Sequence, residues 1–243
     1  MAILETKNLK KHFAGVNALD ELDISVPESK ITAVVGPNGS GKTTLLNILS
    51  GLLNSDGGKI VIAGESLQKI KPYNGPLYGL TRTFQDVRLF NQMSVLDNLL
   101  VVITERNVLG SMFERHQKHH LMQVEKLLRA TELWEKRNSL AMNLSYGQRK
   151  LLEIARVLAM DTKIILLDEP FAGLSPVMTE KLCLLIKNMR EERKSVILIE
   201  HNMKLIRELA DYLIVMDEGK LLAEGNPKEV LKKREVMEAY LGV

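Results

Sequence analysis

The octapeptide Gly36-Pro37-Asn38-Gly39-Ser40-Gly41-Lys42-Thr43 places glycines, a lysine and a hydroxyl residue in the spacing G-x-x-x-x-G-K-[ST]. Glycine lets a backbone curl until successive N–H groups face one centre, which suits the oxygens of a phosphate. Lys42 supplies a positive charge for the β- and γ-phosphates of a nucleotide, and the Thr43 hydroxyl suits Mg²⁺. The candidate nucleotide contacts are Gly36, Pro37, Asn38, Gly39, Ser40, Gly41, Lys42, Thr43 and Thr44. Chance produces this pattern in about one chain in a hundred of this length, and flanks that read as strand and helix lower that figure.

A second group of chemical residues ends an apolar run. Ile164-Ile165-Leu166-Leu167 leads into Asp168 and Glu169. Neighbouring side chains on a strand project to opposite faces, so the two carboxylates are free to take different work. Asp168 is expected to hold Mg²⁺ through a water, and Glu169 to polarise an attacking water as general base. Alone the pair is weak evidence, since apolar strands often end in acidic turns. With the glycine-rich segment it favours hydrolysis of ATP over binding alone.

Both groups need rigid elements behind them. Periodicity predicts strands near Ile3–Asn8, Leu22–Val26, Ile31–Val35 and Lys59–Ala63, with a helix from about Gly41 to Leu52 and a turn at Gly64-Glu65. The Gly- and Pro-rich stretch Lys71–Gly79 reads as loop. From Met93 to Leu158 the pattern is almost wholly helical, with Ser94 three residues before Asp97 as a helix cap. Strands at Lys163–Leu167, Ser195–Ile199, Tyr212–Met216 and Leu221–Ala223 then alternate with helices at Thr179–Glu192 and Asn202–Leu209. Short continuous apolar strands between helices imply a buried parallel sheet and an α/β fold, interrupted by a helical insert at about 87–156.

The 243 residues suffice for one large domain with an insert. A composition of 45% hydrophobic and 26% charged residues matches ordinary globular proteins. The net charge of +3 is spread along the chain, so nothing argues for a nucleic-acid partner. Lone Cys183 lies in an apolar stretch and is expected to pack in the core in a reducing compartment. No apolar run is long enough to span a bilayer, and Met1 to Phe13 lacks the apolar centre of a signal peptide, so any membrane role is expected to pass through partners.

Leu144-Ser145-Tyr146-Gly147-Gln148 opens a predicted helix just before the acidic strand. Here the chain resembles the ABC transporter ATPases, whose signature is usually written LSGGQ. Gln85, in Arg82-Thr83-Phe84-Gln85, matches their Q-loop; Ala172-Gly173-Leu174-Ser175 matches the D-loop; His201 matches the switch histidine; Phe13 matches the aromatic that stacks on adenine, with Val16 beside it. The resemblance runs from end to end. It implies a P-loop NTPase fold with a RecA-like core and an antiparallel β subdomain (1–86 and 157–243) and an inserted helical subdomain (87–156), all one ATPase domain.

The resemblance also implies a mechanism. Two subunits sandwich two ATP molecules, each between the glycine-rich loop of one and Ser145, Tyr146, Gly147 and Gln148 of the other. Glu169, His201 and Gln85 surround the γ-phosphate, and Thr43, Gln85 and Asp168 serve Mg²⁺. Tyr146 stands where the family has glycine, and Ser175 where many members have Asp. Within the family, Arg82 to Phe90, Asn98 to Val101, Glu153-Ile154-Ala155-Arg156 and the ending Ala239-Tyr240-Leu241-Gly242 look like the ATPases of branched-chain amino-acid importers. That implies transmembrane permease subunits, a second ATPase subunit (the same chain or a sister), an extracytoplasmic solute-binding protein, and a peripheral place on the cytoplasmic face of the membrane. Lipopolysaccharide-export and urea or amide ATPases are similar alternatives, and so is the ATPase of iron–sulfur cluster assembly. The DNA-repair type is disfavoured, because Thr43 and Ser145 are only about 100 residues apart and no long heptad run lies between them.

Overall fold

The computed structural model describes residues 1–84, 86–103 and 114–241. The chain opens with a hairpin of two long strands, β1 (Ala2–Phe13) and β2 (Val16–Pro27), then β3 (Ile31–Val35), α1 (Lys42–Leu49), β4 (Gly57–Ile62), β5 (Glu65–Leu67) and β6 (Leu80–Arg82). Helices α2 (Val95–Ile103), α3 (Glu114–Ala130) and α4 (Tyr146–Ala159) follow. Then come β7 (Ile164–Asp168), α5 (Pro176–Glu191), β8 (Ser195–Ile199), α6 (Met203–Leu209), β9 (Tyr212–Asp217), β10 (Lys220–Gly225), α7 (Pro227–Val230) and α8 (Arg234–Leu241). These elements fall into two compact units: Met1–Arg82, Lys163–Glu169 and Ile186–Val243 form one, Thr83–Thr162 and Pro170–Leu185 the other.

The first unit holds two sheets. The larger runs in the order β10-β9-β3-β8-β7-β6, with β9, β3, β8, β7 and β6 parallel and β10 antiparallel at the edge. Every residue of β3, β7 and β8 is buried, which explains why these strands read as continuous apolar runs instead of alternating ones. The smaller sheet is antiparallel, in the order β2-β1-β4-β5. Leu4, Leu9, Leu22, Ile24 and Ile60 from it share one core with Leu45, Leu46 and Leu49 of α1. The α/β class expected from the sequence is what the chain adopts.

Local readings needed three corrections. The stretch 71–79 is no open loop: Pro72–Tyr78 is a 3₁₀ helix with proline at its start and Gly79 (φ +71°) at its end, because proline fixes the first helical φ and glycine accepts the left-handed exit. The block 93–158 is not continuous helix; α3 and α4 are separated by turns and two short 3₁₀ segments, Trp134–Lys136 and Ala141–Asn143. There Glu132 takes a positive φ of 56° and Ser94 bridges Leu140. The first two strands are also twice the expected length, since β1 and β2 carry polar residues and register shifts that blur a period-2 pattern.

In the second unit, Val95 and Leu99 of α2, Val124 and Leu128 of α3, and Leu151, Leu152 and Ala155 of α4 are buried, and the three helices pack on one another. Ser94 caps α2 as expected, its Oγ accepting from the Asp97 N–H at 3.0 Å and donating to the Asp97 carboxylate at 2.6 Å. Among the described residues no helix is long and apolar enough to cross a membrane.

Candidate functional site

In the first unit, three neighbouring parallel strands end at one sheet edge. β3 runs into Gly36, β8 into Glu200 and His201, and β7 ends at Asp168 with Glu169 next. Because β8 lies between the other two, Ile199 is in register with both Val34 and Asp168. The C-terminal edge of such strands is where open α/β sheets bind their ligands.

Close approach dictates the glycines of the curl. A Cβ on Gly36 (φ +152°) would stand 2.0 Å from the Met216 carbonyl oxygen, and one on Gly41 (φ +95°) 2.4 Å from that of Ala18. Gly36→Ala is therefore expected to cost at least about 3 kcal/mol, from overlap and backbone strain together; urea unfolding of the purified variant measures it. Gly41 precedes α1 without a side-chain cap, and no acidic residue occupies the first turn of that helix. The N–H groups of that turn and the positive end of the helix dipole together favour an anion.

Lys42 is buried, and its ammonium donates to the carbonyls of Gly36 (2.9 Å) and Pro37 (2.8 Å) and to Ser40 Oγ (3.1 Å). Burial lowers its pKa, opposed by the nearby negative charge of Glu169. Glu169 takes a left-handed φ of 44°, a conformation that costs a non-glycine residue about 1 kcal/mol or more and gathers at functional sites. Its N–H donates to the Ile199 carbonyl, and its Oε1 lies 3.0 Å from His201 Nε2. The structure thus brings Glu169 and His201 together beside Lys42.

Two polar residues near this edge carried no role in the sequence reading. Glu200 Oε1 accepts from the N–H groups of His201 and Asn202, which fixes the turn carrying His201. Burial pushes its carboxyl pKa up, and its Oε2 is buried without a hydrogen-bond partner. Arg82 donates to Asp168 Oδ2 at 2.8 Å, with both side chains almost fully buried. The motif residue before His201 was visible as Glu200, and Arg82 within the Q-loop run, but nothing local marked either as structural support.

Phe13 and Val16 flank the two-residue turn Ala14-Gly15, whose positive φ values (42° and 90°) suit a tight hairpin. Both side chains are exposed at that tip, and the Lys11 ammonium sits 5.2 Å from the Phe13 ring centre. Lys11 is held in turn by Asp56 at 2.8 Å. Gln85 lies outside the described residues.

In the second unit, Ser145 caps α4 in a reciprocal box: its Oγ accepts from the Gln148 N–H at 3.4 Å, and Gln148 Oε1 accepts from the Ser145 N–H at 3.1 Å. A Cβ on Gly147 would meet Met178 Cγ at 3.0 Å, and one on Gly173 (φ +72°) would meet Tyr146 Cε1 at 3.1 Å. Ser175 caps α5, accepting from the Met178 N–H, so a short side-chain oxygen suffices there in place of Asp. Buried Glu153 accepts from the Phe84 N–H, and its carboxyl pKa is raised, chiefly by burial. Lys150 donates to the Phe84 carbonyl and Arg156 to that of Arg88.

The sequence model of the ABC transporter family matches residues 19–172. This chain belongs to the ABC transporter family. It is 37% identical, over 99% of its length and 98% of the relative's, to the high-affinity branched-chain amino acid transport ATP-binding protein BraF of Pseudomonas aeruginosa. With a probable branched-chain amino acid transport ATP-binding protein LivG of Archaeoglobus fulgidus it shares 38% identity, over 100% and 96% of the two chains. Among solved structures, an ATP-binding cassette of an ABC transporter in its ADP conformation superposes with a TM-score of 0.86 at 33% identity, covering 100% of both chains. A dimeric cassette in a post-hydrolysis state, bound to ADP and phosphate, gives 0.79 at 26% identity over 92% of this chain and 98% of that one. As an ABC ATPase the chain binds nucleotide and hydrolyses ATP, and its fold is that of the family's cassettes.

Proposed function

We propose that this chain energises the uptake of branched-chain or closely related amino acids, as the ATPase of an importer whose membrane-spanning permease subunits are separate chains. The observation that carries the hydrolytic part is the convergence of the glycine-rich curl, Asp168-Glu169 and His201 on three adjacent strand ends. The amino-acid part rests on identities of 35–38% to LivG- and BraF-type proteins over nearly the full chain.

In this reading backbone N–H groups from Asn38 to Thr44 wrap the phosphates, and Lys42 turns its ammonium from the loop carbonyls to the β- and γ-oxygens. Phe13 and Val16 meet the base. Glu169 takes a proton from the attacking water, and His201, 3.0 Å from it, steadies the γ-phosphate. The donor set suits Mg²⁺: the Thr43 hydroxyl and the Asp168 carboxylate are hard oxygens, and this ion takes few protein ligands beside phosphates and water. Bound there, the ion would neutralise charge on the transferring phosphate. Gln85 would be its third protein ligand. Ser145, Tyr146, Gly147 and Gln148 complete the site of a second copy or sister chain, and both units act as one ATPase domain on the cytoplasmic face of the membrane. An extracytoplasmic binding protein would deliver the solute.

Reconstitution with branched-chain amino-acid permease subunits tests the proposal. ATP-dependent accumulation of radiolabelled leucine, isoleucine or valine in proteoliposomes is expected. Robust ATPase activity with uptake of urea or lipid transport, and none of these amino acids, would overturn the substrate class while leaving the ATPase reading intact.

A further inference from the structure

Three side chains on one face of α1 and its C-terminal edge, Thr43, Asn47 and Ser50, follow the spacing i, i+4, i+7, which stacks them along a helix. Arg82 joins the lower two to β7. Its Nη1 donates to Asn47 Oδ1 at 2.7 Å and to Ser50 Oγ at 2.9 Å, which uses both protons of that nitrogen. Its Nη2 donates to Asp168 Oδ2 at 2.8 Å. Ser50, Arg82 and Asp168 are all buried or nearly so, and every one of these contacts lies within the first unit.

An ion pair this deep is weak evidence for stability, because the loss of hydration on burying two charges offsets most of their attraction. The geometry assigns it another use. We propose that Arg82 is the positioning residue of the magnesium site: it sets the carboxylate of Asp168 relative to Thr43 by tying β7 to the helix that carries Thr43. This rests on the reading of Thr43 and Asp168 as metal ligands. One ligand is fixed covalently to α1; the other is fixed to α1 through a planar guanidinium. A planar fork holds both partners at a defined angle, which a lysine ammonium on its flexible stem does not.

The test separates metal affinity from nucleotide affinity and from folding. Mn²⁺ replaces Mg²⁺ as probe, and its binding to the ADP-loaded protein is read by electron paramagnetic resonance; metal-free ATP binding is read with a fluorescent analogue. Arg82→Lys, and Asn47→Ala, which leaves both charges in place, are expected to weaken Mn²⁺ binding at least about tenfold, the usual effect of losing an outer-sphere support. Metal-free nucleotide affinity should change less than about twofold, and added Mg²⁺ should restore much of the ATPase rate. If both variants fold and bind Mn²⁺ like the parent, Arg82 is no positioning residue. Asp168→Asn reports on the underlying reading: unchanged Mn²⁺ binding there removes the carboxylate from the metal site, whereas lost binding there with intact binding in the Arg82 and Asn47 variants overturns only the role given to Arg82.

Discussion

Glu169→Gln is expected to lower ATP turnover at least about a hundredfold, the typical worth of a positioned general base, while ATP binding stays normal. The substitution keeps size and a hydrogen-bonding oxygen toward His201 but removes the group that accepts a proton from water. The left-handed backbone at residue 169 is unchanged by it, so the fold has no reason to respond. In the proposed two-subunit sandwich, the Glu169→Gln protein is expected to be an ATP-bound dimer with Mg²⁺-free ATP, measured by light scattering. Turnover close to that of the parent removes Glu169 from the chemistry. A monomer under those conditions counts against the two-subunit sandwich for the isolated protein.

The other large effect belongs to Lys42. Lys42→Ala is expected to weaken ATP binding roughly ten- to a hundredfold, as the loss of charge-assisted hydrogen bonds worth about 1.5–3 kcal/mol requires; titration with a fluorescent ATP analogue measures it. Unchanged affinity contradicts the cradle assignment. The parent also carries a pH signature. The ammonium is the form that grips phosphate, and burial lowers its pKa, so without ligand the charge is lost as pH rises toward, and before, the ordinary lysine value. Affinity should therefore fall on the alkaline side, in the same direction as the alanine substitution and absent from that variant.

The parts of this site that were legible in the sequence are the local ones. The glycine-rich curl, the acidic end of β7 and the histidine after β8 each sit within a few residues of an apolar run, and periodicity placed β8 to the residue. The order of strands in the sheet was not legible, because nothing in 195–199 says that it inserts between 31–35 and 164–168. The role of Arg82 was hidden for the same reason: its acidic partner is 86 residues away, and the hydroxyl and amide it grips are 32 and 35 residues away. A charge run gives no hint of which distant group it will meet. Lys71–Gly79 misled in the opposite sense, since its prolines and glycines punctuate a short helix as readily as a loop.

The aromatic ring at residue 146 and the bare Cα at 173 fit each other as tenon and slot. Enlarging residue 173 alone drives a methyl group into the ring, and trimming residue 146 alone leaves the turn at 173 without its wall. Shrinking residue 146 would remove that contact but not the strain of the left-handed backbone at 173, so glycine stays favoured there whichever residue stands at 146.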